Sequence, residues 1–336
     1  MSMPSHTPRI VVPAIAAISC MLLLAAPVRA VADVSVYQSV VPIKGNTQAD
    51  RAAAFGEALK SAAVRASGRR DAGTNATIAA AAASDTARYV QQYSTTPDYF
   101  LKVGFDAKAM DRLLQQAGLP LWPLERPVTQ VLLVTASAAG GARAIVDGER
   151  VAERAEVERI ARDRGMPISW PRGTVDAARV RAIVTGGGAG ASAGADSRPV
   201  LAGVASGDRV SWRFVQPGQS VTTDGSLQAG VDLAADSLAA RYAPASTRAM
   251  SSMTVRVGGI EDVRSYAALL EYLKSLSLVR NVDVEEMAGD VVTLKLAVRG
   301  DLDLLRRIAA MDGRLQPGVP VDAAEGAAAV EFVFKP

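Results

Sequence analysis

The 336-residue chain contains one cysteine, Cys20, and one histidine, His6. Both lie in an N-terminal segment with the features of a secretory leader, so the mature protein is expected to contain neither. That removes several chemistries together: Ser-His-Asp triads, cysteine nucleophiles, His/Cys zinc sites, CxxC redox pairs and axial haem histidines. Disulfides are excluded as well, so the exported chain has to rest on ordinary apolar cores. Aromatic residues make up only 5% of the chain, too few for a nucleic-acid stacking platform. Positive charge is scattered, with no run of basic residues longer than two, as at Arg69-Arg70 and Arg306-Arg307. Without Arg9 and Arg29 of the leader, the 37 basic residues become 35, against 34 acidic ones. A balance this even carries no footprint of nucleic-acid binding.

The leader itself runs from Met1 to about Ala32. Arg9 is its lone early charge, Ile10 to Ala26 is almost wholly apolar, and Ala30-Val31-Ala32 supplies the small-x-small pattern of a cleavage site. Cleavage is expected after Ala32, leaving Asp33 as the new terminus, or after Ala30. Cys20 sits inside the apolar run rather than at its end, which speaks against a lipoprotein. Retention of the run as a membrane anchor is the remaining alternative. Beyond Ala32 the apolar stretches are short and broken by Arg, Asp and Gly, so no membrane span is expected.

The mature chain, about 300 residues long, reads as three small mixed domains, α+β and α/β in class. The first, residues 33–125, opens on a strand ending at Pro42. A helix follows with Phe55, Leu59, Ala62 and Ala66 on one stripe and Gly68 as its cap. After an alanine-rich helix come two strands, 88–95 and 98–105, and a helix capped by Asp106. The second, residues 126–250, begins with Val131-Leu132-Leu133-Val134, a continuous apolar run expected of a strand covered on both faces. A charged helix over 150–164 and a strand over 166–170 come next, then a helix over 175–185. The Gly-rich loop 186–194 leads to a hairpin (200–205 and 209–215) and a last helix ending near Tyr242. The third, residues 251–336, gives βαββαβ, the ferredoxin-like order, closed by Val330, Phe332 and Phe334.

Motifs that usually carry chemistry fail on context. Gly190-Ala191-Ser192-Ala193-Gly194 matches a nucleophile elbow in letters, yet it has no histidine to serve and no strand-turn-helix around it. Gly186 to Ala191 loosely matches a dinucleotide fingerprint, but more small residues follow where a helix should open. Glu149, Glu153, Glu156 and Asp163 interleave with Arg150, Arg154, Arg159 and Arg162 as a solvated helix face does. Glu285, Glu286 and Asp290 belong to a hairpin. Trp122, Trp170 and Trp212 are expected in cores. No catalytic, cofactor-binding or metal-ligating residue is nominated, and no cofactor is expected.

Several stretches nevertheless resemble one family. Arg51 to Leu59 and Arg65-Ala66-Ser67-Gly68, Tyr89 to Tyr93 and Phe105-Asp106 are similar to the start of the proteobacterial family called domain of unknown function 2066. So are Gln116 to Pro120 with Trp122 and Arg126-Pro127, Arg164 to Pro167, and Asp236 to Tyr242. The resemblance implies an exported envelope protein without a catalytic motif. The expectation is therefore a periplasmic, non-enzymatic interaction or scaffold protein with an unidentified envelope partner. A carboxylate-dependent glycan hydrolase and a small-ligand binding protein are the alternatives.

Overall fold

Three sheets succeed one another along the chain, each with its own helices. The computed structural model describes residues 36–45, 47–136, 141–187, 198–244, 250–318 and 331–335. The leader with His6 and Cys20, Val34, the Gly190–Gly194 motif and Val330 lie outside the described residues.

The first sheet has the order β1-β3-β2, all antiparallel, from β1 (Gln38–Pro42), β2 (Val90–Thr95) and β3 (Phe100–Phe105). One face is covered by α1 (Gln48–Ser67), α2 (Ala76–Ser84) and α3 (Ala107–Gln116). Helix α1 starts seven residues before its apolar stripe because Thr47 and Asp50 form a reciprocal capping box. It ends at Gly68, whose φ of 71° is the left-handed conformation a C-terminal cap favours. Its buried side is mostly alanine (Ala54, Ala58, Ala62, Ala63 and Ala66 with Leu59), so α2 packs in very close. Gly56 lies against the carbonyl of Ala82.

The second sheet, β5-β4-β7-β8-β9 with β6 beside β4, contains β4 (Thr129–Ala136), β5 (Ala142–Ala144), β6 (Ile168–Ser169), β7 (Val200–Ser206), β8 (Arg209–Gln216) and β9 (Gln219–Gly225). Strands β4 and β7 are parallel, and the rest of the path is antiparallel. Both faces of β4 are covered, as its unbroken apolar run requires. Val131 and Leu133 join the core containing α4 (Ala152–Asp163) and α6 (Leu227–Tyr242), while Val134 joins a smaller cluster with α5 (Ala177–Thr185). Three elements differ from the sequence reading. The strand expected over 166–170 shrinks to two residues, and β5 and β9 are additional strands. The helix expected over 175–185 is α5, and Gly186 at φ 82°, where the loose fingerprint begins, is simply its cap.

The third sheet has the order β11-β12-β10-β14-β13. It comprises β10 (Met250–Gly258), β11 (Val279–Ala288), β12 (Val291–Arg299), β13 (Leu315–Pro317) and β14 (Phe332–Phe334), with α7 (Val263–Ser275) and α8 (Leu302–Ala309) on one face. Strands β11, β12 and β10 are antiparallel neighbours as the ferredoxin-like reading expects. The fourth lane departs from it in one respect. β14 runs parallel to β10, and β13 is added outside it in the antiparallel sense. The apolar interior is continuous between the second and third sheets, from Val131 and Trp212 to Leu294 and Phe332, whereas the first block keeps a separate core.

Candidate functional site

Whether another chain can pair with a sheet depends on the composition of its edge strands. β1 ends in Pro42 and β13 in Pro317, β5 is only three residues long, and β9 carries Asp224. β11 carries Asp283, Glu285 and Glu286 and two register irregularities. β2 differs from all of these. It reads Val-Gln-Gln-Tyr-Ser-Thr, without charge or proline, and pairs with β3 on one side and with no described strand on the other. An extra residue at Gln91 bulges its start, so the regular ladder runs from Gln92 to Thr95.

Beside this edge lies a groove of about 820 Å³. Ala52 and Phe55 of α1, Ala82 and Ala83 of α2, and Val90 and Tyr93 of β2 supply its apolar lining. Tyr93 is 64% exposed, yet its ring stands edge-on to Phe55 with centroids 5.2 Å apart and an 86° interplanar angle. Such a pair holds both rings at the rim, in the favourable geometry of opposed ring quadrupoles. The uncovered face of the same sheet shows Val40 and Phe100, both exposed, and Lys102 directly opposite Val40. Tyr99, at the end of the β2–β3 turn, is the one non-glycine among the described residues with a left-handed φ, 59°. It is held there by hydrogen bonds from Ile43 N–H to its carbonyl and from its own N–H to Thr96.

Elsewhere, arginines bind carbonyls or carboxylates where the blocks meet. Arg126 is buried and donates to four carbonyls: Pro123 at 3.0 Å, Gly165 at 2.6 Å, Arg65 at 2.9 Å and Trp122 at 3.3 Å. Its guanidinium lies 4.1 Å from the centroid of the Trp122 ring, a cation–π contact. Arg65 donates to Ser61 Oγ, Ser39 Oγ and the Gln38 carbonyl. Neither arginine touches a carboxylate, and burial pushes them down to about 9 and about 10 respectively. Arg164 binds Asp232, Asp236 and the Gly68 carbonyl, and Arg70 reaches Asp232 at 3.1 Å. Asp111 accepts from Tyr37 Oη at 2.7 Å and is paired with Arg280 and Arg299 of the third block. Burial, then the Asp111 charge, raises the Tyr37 phenol well above its ordinary value. Smaller clefts of about 620 and 250 Å³ open beside these clusters.

The residues weighed in the sequence fall into place accordingly. The α4 charges pair locally, Arg159 with Glu156 and Asp163, and Arg154 with Glu158 and Asp147. Glu285 and Glu286 are exposed on β11. All three tryptophans are buried. Among the described residues no three His, Cys, Asp or Glu side chains are placed to hold a metal ion. No helix among them is long and apolar enough to cross a membrane. The groove is not legible in the sequence because Phe55 looks like part of a buried stripe, and only the third dimension brings Tyr93 beside it.

The block that bears this groove is also the part that a family model recognises. Residues 30–123 match a domain of unknown function (DUF8605). The DUF8605 region thus takes in the first sheet, helices α1 to α3, the groove and the uncharged edge, and stops short of Arg126. No curated protein matches the chain, and no solved structure matches it.

Proposed function

We propose that the protein is exported to the periplasm and acts there as a non-catalytic interaction protein of the cell envelope, docking a partner on its DUF8605 region. The observation that carries this reading is the uncharged edge β2, with no described strand on its outer side, lying beside the groove that Phe55 and Tyr93 line with Gln48, Ser84, Asp85 and Thr86. Exposed apolar surface next to free backbone hydrogen-bonding groups is the composition of a strand-addition site. The apolar run and Ala30-Val31-Ala32 support export, and the resemblance to the family of domain of unknown function 2066 supports an envelope role.

A photo-crosslinking residue in place of Tyr93, with Glu153 as the control position, tests docking in the periplasm of the producing cell. A discrete adduct from position 93 and none from position 153 is expected. Equal adducts at both positions, or none at either, would overturn the reading. N-terminal sequencing of the purified protein is expected to begin at Asp33, or at Val31 if cleavage follows Ala30.

A further inference from the structure

The register of the first sheet specifies what a strand added to β2 has to look like. Tyr93 is opposite Val103, and Thr95 opposite Leu101, which puts both on the helix-covered side with buried neighbours. Gln92 and Ser94 face the other way, opposite Gly104 and Lys102. Side chains alternate along a strand, so one set on an incoming segment would enter the groove beside Tyr93 and Phe55, and the other would stand next to Gln92 and Ser94. The first set has to be apolar. The second meets Lys102, which makes no ion pair among the described residues. Lys102 is one strand in from the edge, roughly 10 Å from an added strand over two strand spacings. The only residue between them on that face is the short Ser94, which leaves the span open to a lysine and a glutamate side chain reaching toward each other.

We propose, building on the docking reading, that the occupant of the β2 edge is an extended segment of a partner protein that alternates apolar with acidic residues. The apolar residues fill the Phe55–Tyr93 groove, and an acidic residue on the opposite face pairs with Lys102. A second copy of this chain is a poorer occupant on charge grounds. Its β2 carries no carboxylate, so β2-to-β2 pairing leaves both Lys102 ammonium groups without a counter-charge. An exposed pair of this kind contributes discrimination more than affinity, which makes the charge preference the diagnostic.

The test measures binding of three fluorescent nonapeptides to the full mature chain: alternating Val/Glu, alternating Val/Lys, and a shuffled isomer of the first. The Val/Glu peptide is expected to bind, the Val/Lys peptide on the order of tenfold more weakly, and the shuffled isomer no better than Val/Lys. Lys102→Glu should invert the charge preference, and added salt should erase it. Thr95→Pro, which removes a backbone donor facing the open edge, should weaken all binding. Tyr93→Ala, which leaves the backbone intact, should do the same for the groove if the proline variant fails to fold. Indifference to peptide charge, or no response to Lys102→Glu, overturns the proposal. So does a dimer in sedimentation that Thr95→Pro dissolves. A partner crosslinked at position 93 whose contact segment lacks the alternation overturns this inference alone, whereas absence of any adduct there removes the docking reading beneath it.

Discussion

Arg126 is a cation held by carbonyl oxygens from four residues, two of them outside its own loop, with no carboxylate in contact. Two effects of opposite sign meet at this residue. Removing the guanidinium relieves the desolvation of a buried charge, but it strands acceptors that no other donor can reach. Each stranded acceptor costs about 1–3 kcal/mol, so the acceptors win. Arg126→Met is expected to lower stability in urea by about 2–4 kcal/mol. Arg126→Lys should be nearly as damaging, since one ammonium group cannot span the fork. An Arg126→Met variant as stable as wild type would show that desolvation of the charge outweighs the stranded acceptors. Tyr37 supports a prediction on the alkaline side. Its phenol ionises only above the ordinary value of 10.0 in the folded state. It therefore stabilises the fold fully below pH 10, and that contribution is lost as pH rises further. The difference in stability between wild type and Tyr37→Phe should be flat from pH 7 to 9 and narrow above pH 10. Tyr272, also raised, is common to both proteins and cancels.

At the scale of elements, the slot for Trp212 shows how far the sequence could be read. Trp212 alternates with Val210 and Phe214 on β8, and that pattern alone gives its buried face. Its neighbours were not legible. A β-carbon at Gly203 on β7 or at Gly230 within α6 would overlap the indole, and the Trp212 Nε1–H finds the Ser226 carbonyl at 3.1 Å. A glycine inside a helix normally lowers its stability by roughly 1 kcal/mol. Here it makes room for a ring. Gly230→Ala is expected to lose about 1–3 kcal/mol through overpacking despite its better helix propensity, read as a fall in Tm. Adding Trp212→Phe should recover part of that loss. The strands missed in the sequence share a cause. β5 (Ala-Arg-Ala), β9 (Gln-Ser-Val-Thr-Thr-Asp-Gly) and β13 have too few apolar residues to show alternation, and they form because a neighbour offers backbone hydrogen bonds. Elements read correctly, α1, α3, α4, α6, β4, β8 and β12 among them, have periodicity or capping residues that state the answer locally.

At the scale of the whole molecule, residues 34–336 form one compact unit, and its blocks are joined through buried charge as well as apolar contact. Asp232 is 4% exposed and receives both Arg164 and Arg70. Asp232→Asn would leave Arg164 with only the half-exposed Asp236 as counter-ion. The expected cost is toward the lower end of roughly 3–5 kcal/mol. Because the Arg70–Asp232 ion pair lost with it joins the first and second blocks, tryptophan fluorescence and far-UV circular dichroism should separate into two transitions. Nothing in the sequence pattern announces this pairing, since Arg164 and Asp232 are 68 residues apart and each sits in an ordinary amphipathic helical context. The third sheet has a bearing on how the chain comes into being. Its lane between β10 and β13 is filled by Phe332 to Phe334, residues synthesised after every other strand they touch. Until they emerge, β13 has nothing to pair with and one side of β10 stays bare. The third block therefore closes only once β14 has left the ribosome, whereas the separate core of the first block is complete much earlier in synthesis.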